Sequence, residues 1–597
     1  MLLGDLESQK WYAETDDLTI SRKRDIDGGV FRFEVERKGH EPWRPQLFAR
    51  PIAFEEGLPY TFSIQARAET PTRVNIGARR AEGDFANLGF AGTMDLTPDW
   101  QTFEYTFAVN SASPVSRFDI GNLQAGVNYE FRNSSLRPGG SNRLPERNTL
   151  RAGTIPLIDK DGFTHPTDPN EEPIVLPRAA RNDFCEFLFE IERTYWLGMY
   201  RFLKEELGVK QPISGTQIYY GSTTIQSELD YADVHVYWNH PTFPGRPWDM
   251  SNWLISNRAL VDYLDRDVLP RMATARPHGK PYTISEFDAA FPNQFAAEAL
   301  PIIAAFGRFQ DWDGFFHFAY SHSKDTFEPR MALGFFDMAG HTTKLVHQPA
   351  CVAMFVRRDV RPAESLVLGR FDPATELELF QRVTSAWNFN FSNIGMDPRL
   401  TLFHRTGLDV TGRHTPQQHV PSAPNNIDRI GEEMFWFRPE GRQGRRLMID
   451  TENTKVFTGF HVGRDTFNFD GVELQLGNTR LNWATISMVS INGNGFAPAK
   501  AQGQPIRILV AATGLMQNTN MQLEQRAGNQ LTYGTQSGTA PTMCEGIPFT
   551  LQFENAQEVR AYPLDERGNR MSEISAEGNR TMMGPEYQTV WYEMELR

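Results

Sequence analysis

The hydrophobic periodicity switches twice along this chain, and those switches limit the folds open to it. From 60 to 68, YTFSIQARA alternates strictly: Tyr60, Phe62, Ile64 and Ala66 fall on one face, Thr61, Ser63, Gln65 and Arg67 on the other. FEYTFAV (103–109) repeats the pattern with Phe103, Tyr105 and Phe107. A period of two belongs to strands buried on one face, the usual state of antiparallel sheets. Turn signals at Glu56-Gly57 and Thr97-Pro98-Asp99 separate these runs, which predicts a β-sandwich over 1–140. A Pro-, Asp- and Gly-rich linker follows over 141–180.

The pattern then changes. RNDFCEFLFEIERTYWLGMYRFLKEELG (181–208) places Phe184, Phe187, Leu188, Ile191, Tyr195, Met199, Phe202 and Leu203 at spacings of three and four, which predicts an amphipathic helix ending at Gly208. Short apolar runs follow at 213–218, 232–238, 281–286 and 314–320, with helix-like stretches at 252–264 and 295–309 between them. Such βα order predicts parallel strands buried on both faces. Four βα units are present, where a closed barrel needs eight. From 363 to 597 strand-like runs return, as in ATISMVSI (484–491) and IRILVAAT (506–513). The expected fold is therefore multidomain, α/β plus all-β. An incomplete, half TIM-type (β/α) barrel over 181–362 is flanked by β-sandwich domains, the carboxyl-terminal one with room for two subdomains.

Charge and composition narrow the function. The net charge is −14 and no Lys/Arg run stands out, which argues against nucleic acid as a partner. Cys185, Cys351 and Cys544 are far apart, with no CxxC pair, so neither a disulfide framework nor a thiolate metal site is expected. No apolar run is long enough to span a membrane. MLLGDLES lacks the basic and apolar regions of a signal peptide; a cytoplasmic protein is expected unless a signal lies outside this sequence. INGNGF (491–496) has no strand-to-helix context and reads as a turn rather than a phosphate loop. No cofactor and no metal is expected.

Functional residues of parallel α/β folds gather at the carboxyl ends of strands. Here those ends carry Gln217, then His235, Tyr237, Trp238 and His240, then Glu286 and Asp288, then His317, Tyr320 and His322. Aromatic platforms with one acid suit carbohydrate chemistry, because rings stack on sugar faces while an acid acts at the anomeric carbon. Each has a plainer reading. His235 fits a core histidine, Trp238 and Trp312 fit barrel caps, Trp248 and Trp253 fit packed loop residues, and Asp288 fits an acceptor of backbone N–H groups.

Two stretches resemble known families. LTPDWQTFEYTF (96–107), with LLGDLES and YEFRNSSL (129–136), is similar to the jelly-roll carbohydrate-binding modules attached to polysaccharide-degrading enzymes. That resemblance implies sugar stacking, for which Trp11, Trp43 and Trp100 are candidates. DYADVHVYWNHPTFPGRPW (230–248), GKPYTISEFDAAFPN (279–293) and QDWDGFFHFAYSHS (310–323) resemble strands six to eight of retaining glycosidases of the eight-stranded α/β-barrel clan, nearest to multidomain β-galactosidase- and cellulase-like enzymes. The resemblance implies hydrolysis of a β-linked carbohydrate with Glu286 as nucleophile. His235, Tyr237, Trp238, His240, Gln217, His317, Tyr320 and Asp288 are then candidate substrate contacts.

The clan's acid/base Glu lies on strand four, and strands one to four are missing here. Glu298 and Glu328 read as solvated. A half-barrel would expose sheet edges and an apolar inner face, so a homo-oligomer that completes it is expected. The alternative is a non-catalytic carbohydrate-binding or scaffold protein with a degenerate half-barrel.

Overall fold

The structure is a computed structural model. It describes all residues except 1–3, 7–9, 17–18, 27–28, 39–42, 141–150, 154–157, 159–163, 166–173, 383–390, 414–421, 441–443 and 497–504. The expected linker 141–180 therefore lies largely outside the described residues. The chain divides into two compact units, Met1–Ile191 with Leu377–Ser385, and Glu192–Glu376 with Ala386–Arg597.

The first unit is a sandwich of two antiparallel sheets. One runs Ile20–Ile26, Val30–Arg37, Val127–Pro138, Pro59–Ala68, Gln101–Ala108, with Gly4–Leu6 added on Val127–Pro138. The other runs Trp11–Glu14, Gln46–Phe54, Ser113–Gly121, Thr72–Arg80, Asn87–Leu96. Along Pro59–Ala68 every second residue is buried, beginning at Tyr60. Phe62, Ile64 and Ala66 meet Phe31, Phe33, Leu47, Phe118 and Phe131 in one core. Burying each such phenylalanine contributes about 1.5–3 kcal/mol.

The second unit holds a parallel sheet of three strands, in the order Ala232–His235, Tyr282–Phe287, Gly314–His317. Helix Val268–Thr274 lies between the first two strands in sequence and helix Ala299–Phe309 between the last two. A half-barrel is not what this shows. The run 213–218 forms no strand; the Ile218 N–H reaches the Asp233 carbonyl at 2.7 Å and the Ile213 carbonyl accepts the Asp230 N–H at 3.0 Å, without a ladder between. The stretch 252–264 is not a helix. It holds the short strand Ile255–Ser256 and a 3-10 turn, Leu260–Tyr263. Its apolar spacing arises because Trp253 and Ile255 enter a core with Phe335 and Leu531. Its backbone is satisfied elsewhere: Leu254 exchanges bonds with Thr242, and the Leu260 and Val261 N–H groups reach the Glu298 carboxylate.

The sheet is also two-faced. Ala232, Val234, Tyr282 and Ile284 are fully buried, whereas Thr283 and Ser285 alternate with them and are half-buried. The Thr283 and Ser285 hydroxyls each donate to one oxygen of Asp233 at 2.5 Å. These three residues line a cavity of about 820 Å³ with Ser214, Thr216 and Phe316. The expected apolar inner face is therefore polar. Ser, Thr and Asp at alternate positions, interleaved with large apolar residues, read in the sequence as one continuous buried run.

Helix Arg178–Arg201 continues into a π-helical turn, Phe202–Glu206. Its apolar stripe is exposed at Phe187, Leu188, Ile191, Tyr195, Met199 and Phe202. Region 363–597 opens not as sandwich but with a parallel strand pair, Leu366–Arg370 and Arg405–Asp409, and Leu408 bridges to Pro277. The sandwich proper follows. Its eight-stranded sheet begins at Arg429–Ile430 and its five-stranded sheet at Thr466–Phe469. Phe457, Phe467, Leu474, Ile486, Ile508 and Leu551 form their shared core. His347 bonds Ser487 at 2.9 Å and Thr513 at 2.8 Å, which ties the sandwich to the α/β part of the unit.

Candidate carbohydrate sites

The strand that carries Glu286 is bulged at its end. Val234 pairs with Ile284, yet the next residue, His235, pairs with Glu286, so Ser285 is the extra residue. The pairing with Gly314–His317 shifts over the same stretch, between Ile284 and Phe287. A bulge of this kind re-aims a side chain. Here it sets Glu286 opposite His235, with Nδ1 3.8 Å from the carboxylate.

Three neighbours fix the electrostatics. The Tyr237 hydroxyl donates a short hydrogen bond to Glu286 Oε2. Burial, and then that bond, push the Tyr237 phenol well above its ordinary value, so it remains a donor. Gln217 receives the His235 backbone N–H at 2.9 Å and its amide lies 2.5 Å from His235 Nε2. Burial holds the His235 imidazole below its ordinary value, against the pull of Glu286 and Asp233. With the Gln217 amide donating to Nε2, a neutral His235 carries its proton on Nδ1, facing Glu286.

Glu286 opens into a cavity of about 750 Å³ whose walls include Tyr220, His235, Tyr237, His240, Trp248, Phe318 and Phe336. His240 packs its ring against Tyr237, Trp248 and Phe336. Trp248 is 60% exposed. The cavity also takes in His322 and Asp337. Asp337 gave no signal in the sequence, where it is one Asp in a loop after two phenylalanines.

Of the residues expected at this rim, the structure gathers Glu286, His235, Tyr237, His240 and His322 on the cavity, with Gln217 buried behind His235. Trp238 does not join them. It is 3% exposed, donates its indole N–H to the Arg258 carbonyl at 2.9 Å, and lies under the Arg258 guanidinium. Asp288 and His317 are buried away from the cavity: Asp288 takes the Lys344 ammonium at 2.6 Å, and His317 Nε2 lies 3.1 Å from its other oxygen. The plainer reading of Asp288 also holds in part, since it accepts the Ala289 N–H at 2.7 Å. Tyr320 packs at a tilt against Phe327, outside the cavity lining. Trp253 and Trp312 are packed. Glu328 is exposed. Glu298 is not solvated but buried, and burial pushes its carboxyl well up. Among the described residues no group of three His, Cys, Asp or Glu is placed to hold a metal ion.

The first unit has a second polar–aromatic surface, on the outer face of its five-stranded sheet. Trp11 faces the core instead and gives its indole N–H to Ser134 at 3.0 Å, so it is not a platform. The residue beside it, Tyr12, faces outward. It is 49% exposed and stacks on Phe48, with 5.7 Å between ring centroids. Tyr12, Phe48 and Asp119 form one row across three strands. Arg117 lies over the rings of Phe48 and Phe85 and reaches Glu14 and Asp119, each at 2.9 Å. Burial pushes the Asp119 carboxyl up to about 6, against Arg117 and Arg79. Trp43 is exposed, whereas Trp100 is held under the guanidinium groups of Arg132 and Arg67.

Comparison with known proteins bears on this unit. Residues 4–121 match the family described as carbohydrate binding domain. Among solved structures, a CBM4 module is 24% identical over 22% of this chain and 89% of its own, with a TM-score of 0.20. The N-terminal cellulose-binding domain of Cellulomonas fimi β-1,4-glucanase C is 16% identical over 22% of this chain and 91% of its own, with a TM-score of 0.19. No curated protein matches the chain. The first unit thus carries a jelly-roll carbohydrate-binding domain.

Proposed function

We propose that the protein is a glycoside hydrolase that acts on β-linked carbohydrate by a retaining mechanism, with Glu286 as nucleophile. The observation that carries this reading is the Tyr237 hydroxyl bonded to a Glu286 carboxylate that lines an aromatic-walled cavity. A donor held against one oxygen orients the other toward an anomeric carbon. His240, Trp248 and Tyr220 provide the rings and imidazole that grip a sugar. The carbohydrate-binding domain supplies the affinity for polymer, with the exposed rings of Tyr12 and Phe85 as its contact surface and the buried Phe48, Arg117 and Asp119 as their support.

Aryl β-glycosides test the assignment. Wild type cleaves a member of a galactoside, glucoside and xyloside panel, and Glu286→Gln loses at least about 10⁴-fold in kcat/KM. Full activity in that variant removes Glu286 from the role.

A second reading is favoured by the family match itself, which is to a binding domain only. There the protein binds polysaccharide without cleaving it, and wild type is retained by insoluble polysaccharide while inert toward the whole aryl panel. In either case we propose that a second copy covers the exposed stripe of helix Arg178–Arg201.

A further inference from the structure

The sequence offers a nucleophile without its acid/base partner. We propose that this partner is His322, held by Asp337, an inference that rests on the hydrolase reading above. Both residues line the Glu286 cavity. His322 Nδ1 lies 2.9 Å from Asp337 Oδ1, and the same oxygen accepts the His322 backbone N–H at 2.6 Å. The two bonds lock the ring relative to its own backbone. With Nδ1 committed to the carboxylate, Nε2 is the nitrogen left for a substrate. The side chains differ in exposure, 49% for His322 and 9% for Asp337, so the imidazole is the more open of the two to the cavity. The His322 ring packs edge-on against Phe318, which in turn packs against Tyr237, the donor to Glu286.

The chemistry closes without another group. A Glu286 oxygen attacks the anomeric carbon and forms an ester bond. The bond to the leaving oxygen breaks, and its electron pair accepts the Nε2 proton of the His322 imidazolium. In the second half-reaction neutral Nε2 takes a proton from water as the water oxygen attacks the same carbon. Glu286 departs as carboxylate, and the sum is glycoside plus water giving two hydroxyl groups. Asp337 is a positioning residue that steadies the imidazolium. Gly334 sits against it: a Cβ there would lie 2.7 Å from Asp337 Oδ2.

Leaving-group dependence tests the proposal on the full chain. His322→Ala is expected to lose about 10²–10⁴-fold on phenyl β-glycosides, whose leaving group needs a proton. It keeps the fast first step on 2,4-dinitrophenyl β-glycosides, whose leaving group does not. Sodium azide then restores turnover and yields the β-glycosyl azide. Asp337→Asn shifts the same leaving-group slope in the same direction, a change that loss of packing alone would not produce. Labelling of Glu286 by a 2-deoxy-2-fluoro dinitrophenyl glycoside in His322→Ala reports that the site is folded. Equal losses on both leaving groups, or none on either, overturn the role of His322 while leaving Glu286 standing if Glu286→Gln is inactive. A wild type inert toward every probe overturns both proposals.

Discussion

At the residue scale, the outer sheet face of the carbohydrate-binding domain contains a group that ties stability to pH. Asp119 titrates near 6 in the folded state because it is buried, against about 3.9 unfolded. Between roughly pH 4 and 6 the folded chain therefore holds a proton that the unfolded chain has lost. Its unfolding free energy falls as pH rises through that window, by up to about 3 kcal/mol, and this contribution is flat above it. Glu14 works the other way. Burial raises its carboxyl, but the bonds from Arg117, Gln46 and Arg44 outweigh burial and leave it lowered. The informative measurement is thus a difference: hydrogen exchange of strand Ser113–Gly121 in wild type and Asp119→Asn, from pH 4 to 7. The wild type is expected to lose protection with rising pH relative to the variant. Parallel profiles would contradict the assignment.

At the scale of single elements, the end of strand Tyr282–Phe287 is anchored by a buried ion pair. Asp288 and Lys344 are each 1% exposed at the side chain. Burial lowers the Lys344 ammonium and Asp288 raises it again, with burial the larger effect. Removing one partner strands the other charge. Lys344→Met is expected to destabilise the second unit by about 3–5 kcal/mol, read as a lower denaturant midpoint, and adding Asp288→Leu should recover part of that. This pair shows what the sequence revealed and what it hid. Glu286 stood out because an apolar strand ended on an acid, and the structure places it on the cavity. Asp288, two residues on, looks equivalent on paper, and only a lysine 56 positions later decides that it is structural. Trp238 was misread for a similar reason: its partner, the Arg258 carbonyl, leaves no trace in composition. The sandwiches were legible because period two is a local signal. The run 213–218 was not, because strand formation depends on a neighbour that supplies a full ladder. The Asp337–His322 contact spans 15 residues of loop, where periodicity carries no information.

For the whole molecule, the apolar stripe of helix Arg178–Arg201 is where a second copy is expected to pack. Phe187, Ile191 and Tyr195 are at least half exposed on one stripe, a contiguous apolar face of the kind that can mark an association site. Light scattering is expected to give twice the 68.0 kDa of one chain. Tyr195→Lys should shift that mass toward the monomer, and a wild-type monomer at micromolar concentration would rule out the assembly.

The hydroxyl-lined side of the parallel sheet has a bearing on how this unit acquires its structure. Ala232, Val234, Tyr282 and Ile284 lie on one side only, and Asp233, Thr283 and Ser285 on the other. Collapse can then proceed from one direction. The helix-covered side drives strand docking, and the opposite side selects the register, because the Asp233 carboxylate is buried at low cost only where the Thr283 and Ser285 hydroxyls reach it. The early events of folding in this unit are accordingly steered by an asymmetry that is written residue by residue along two short strands.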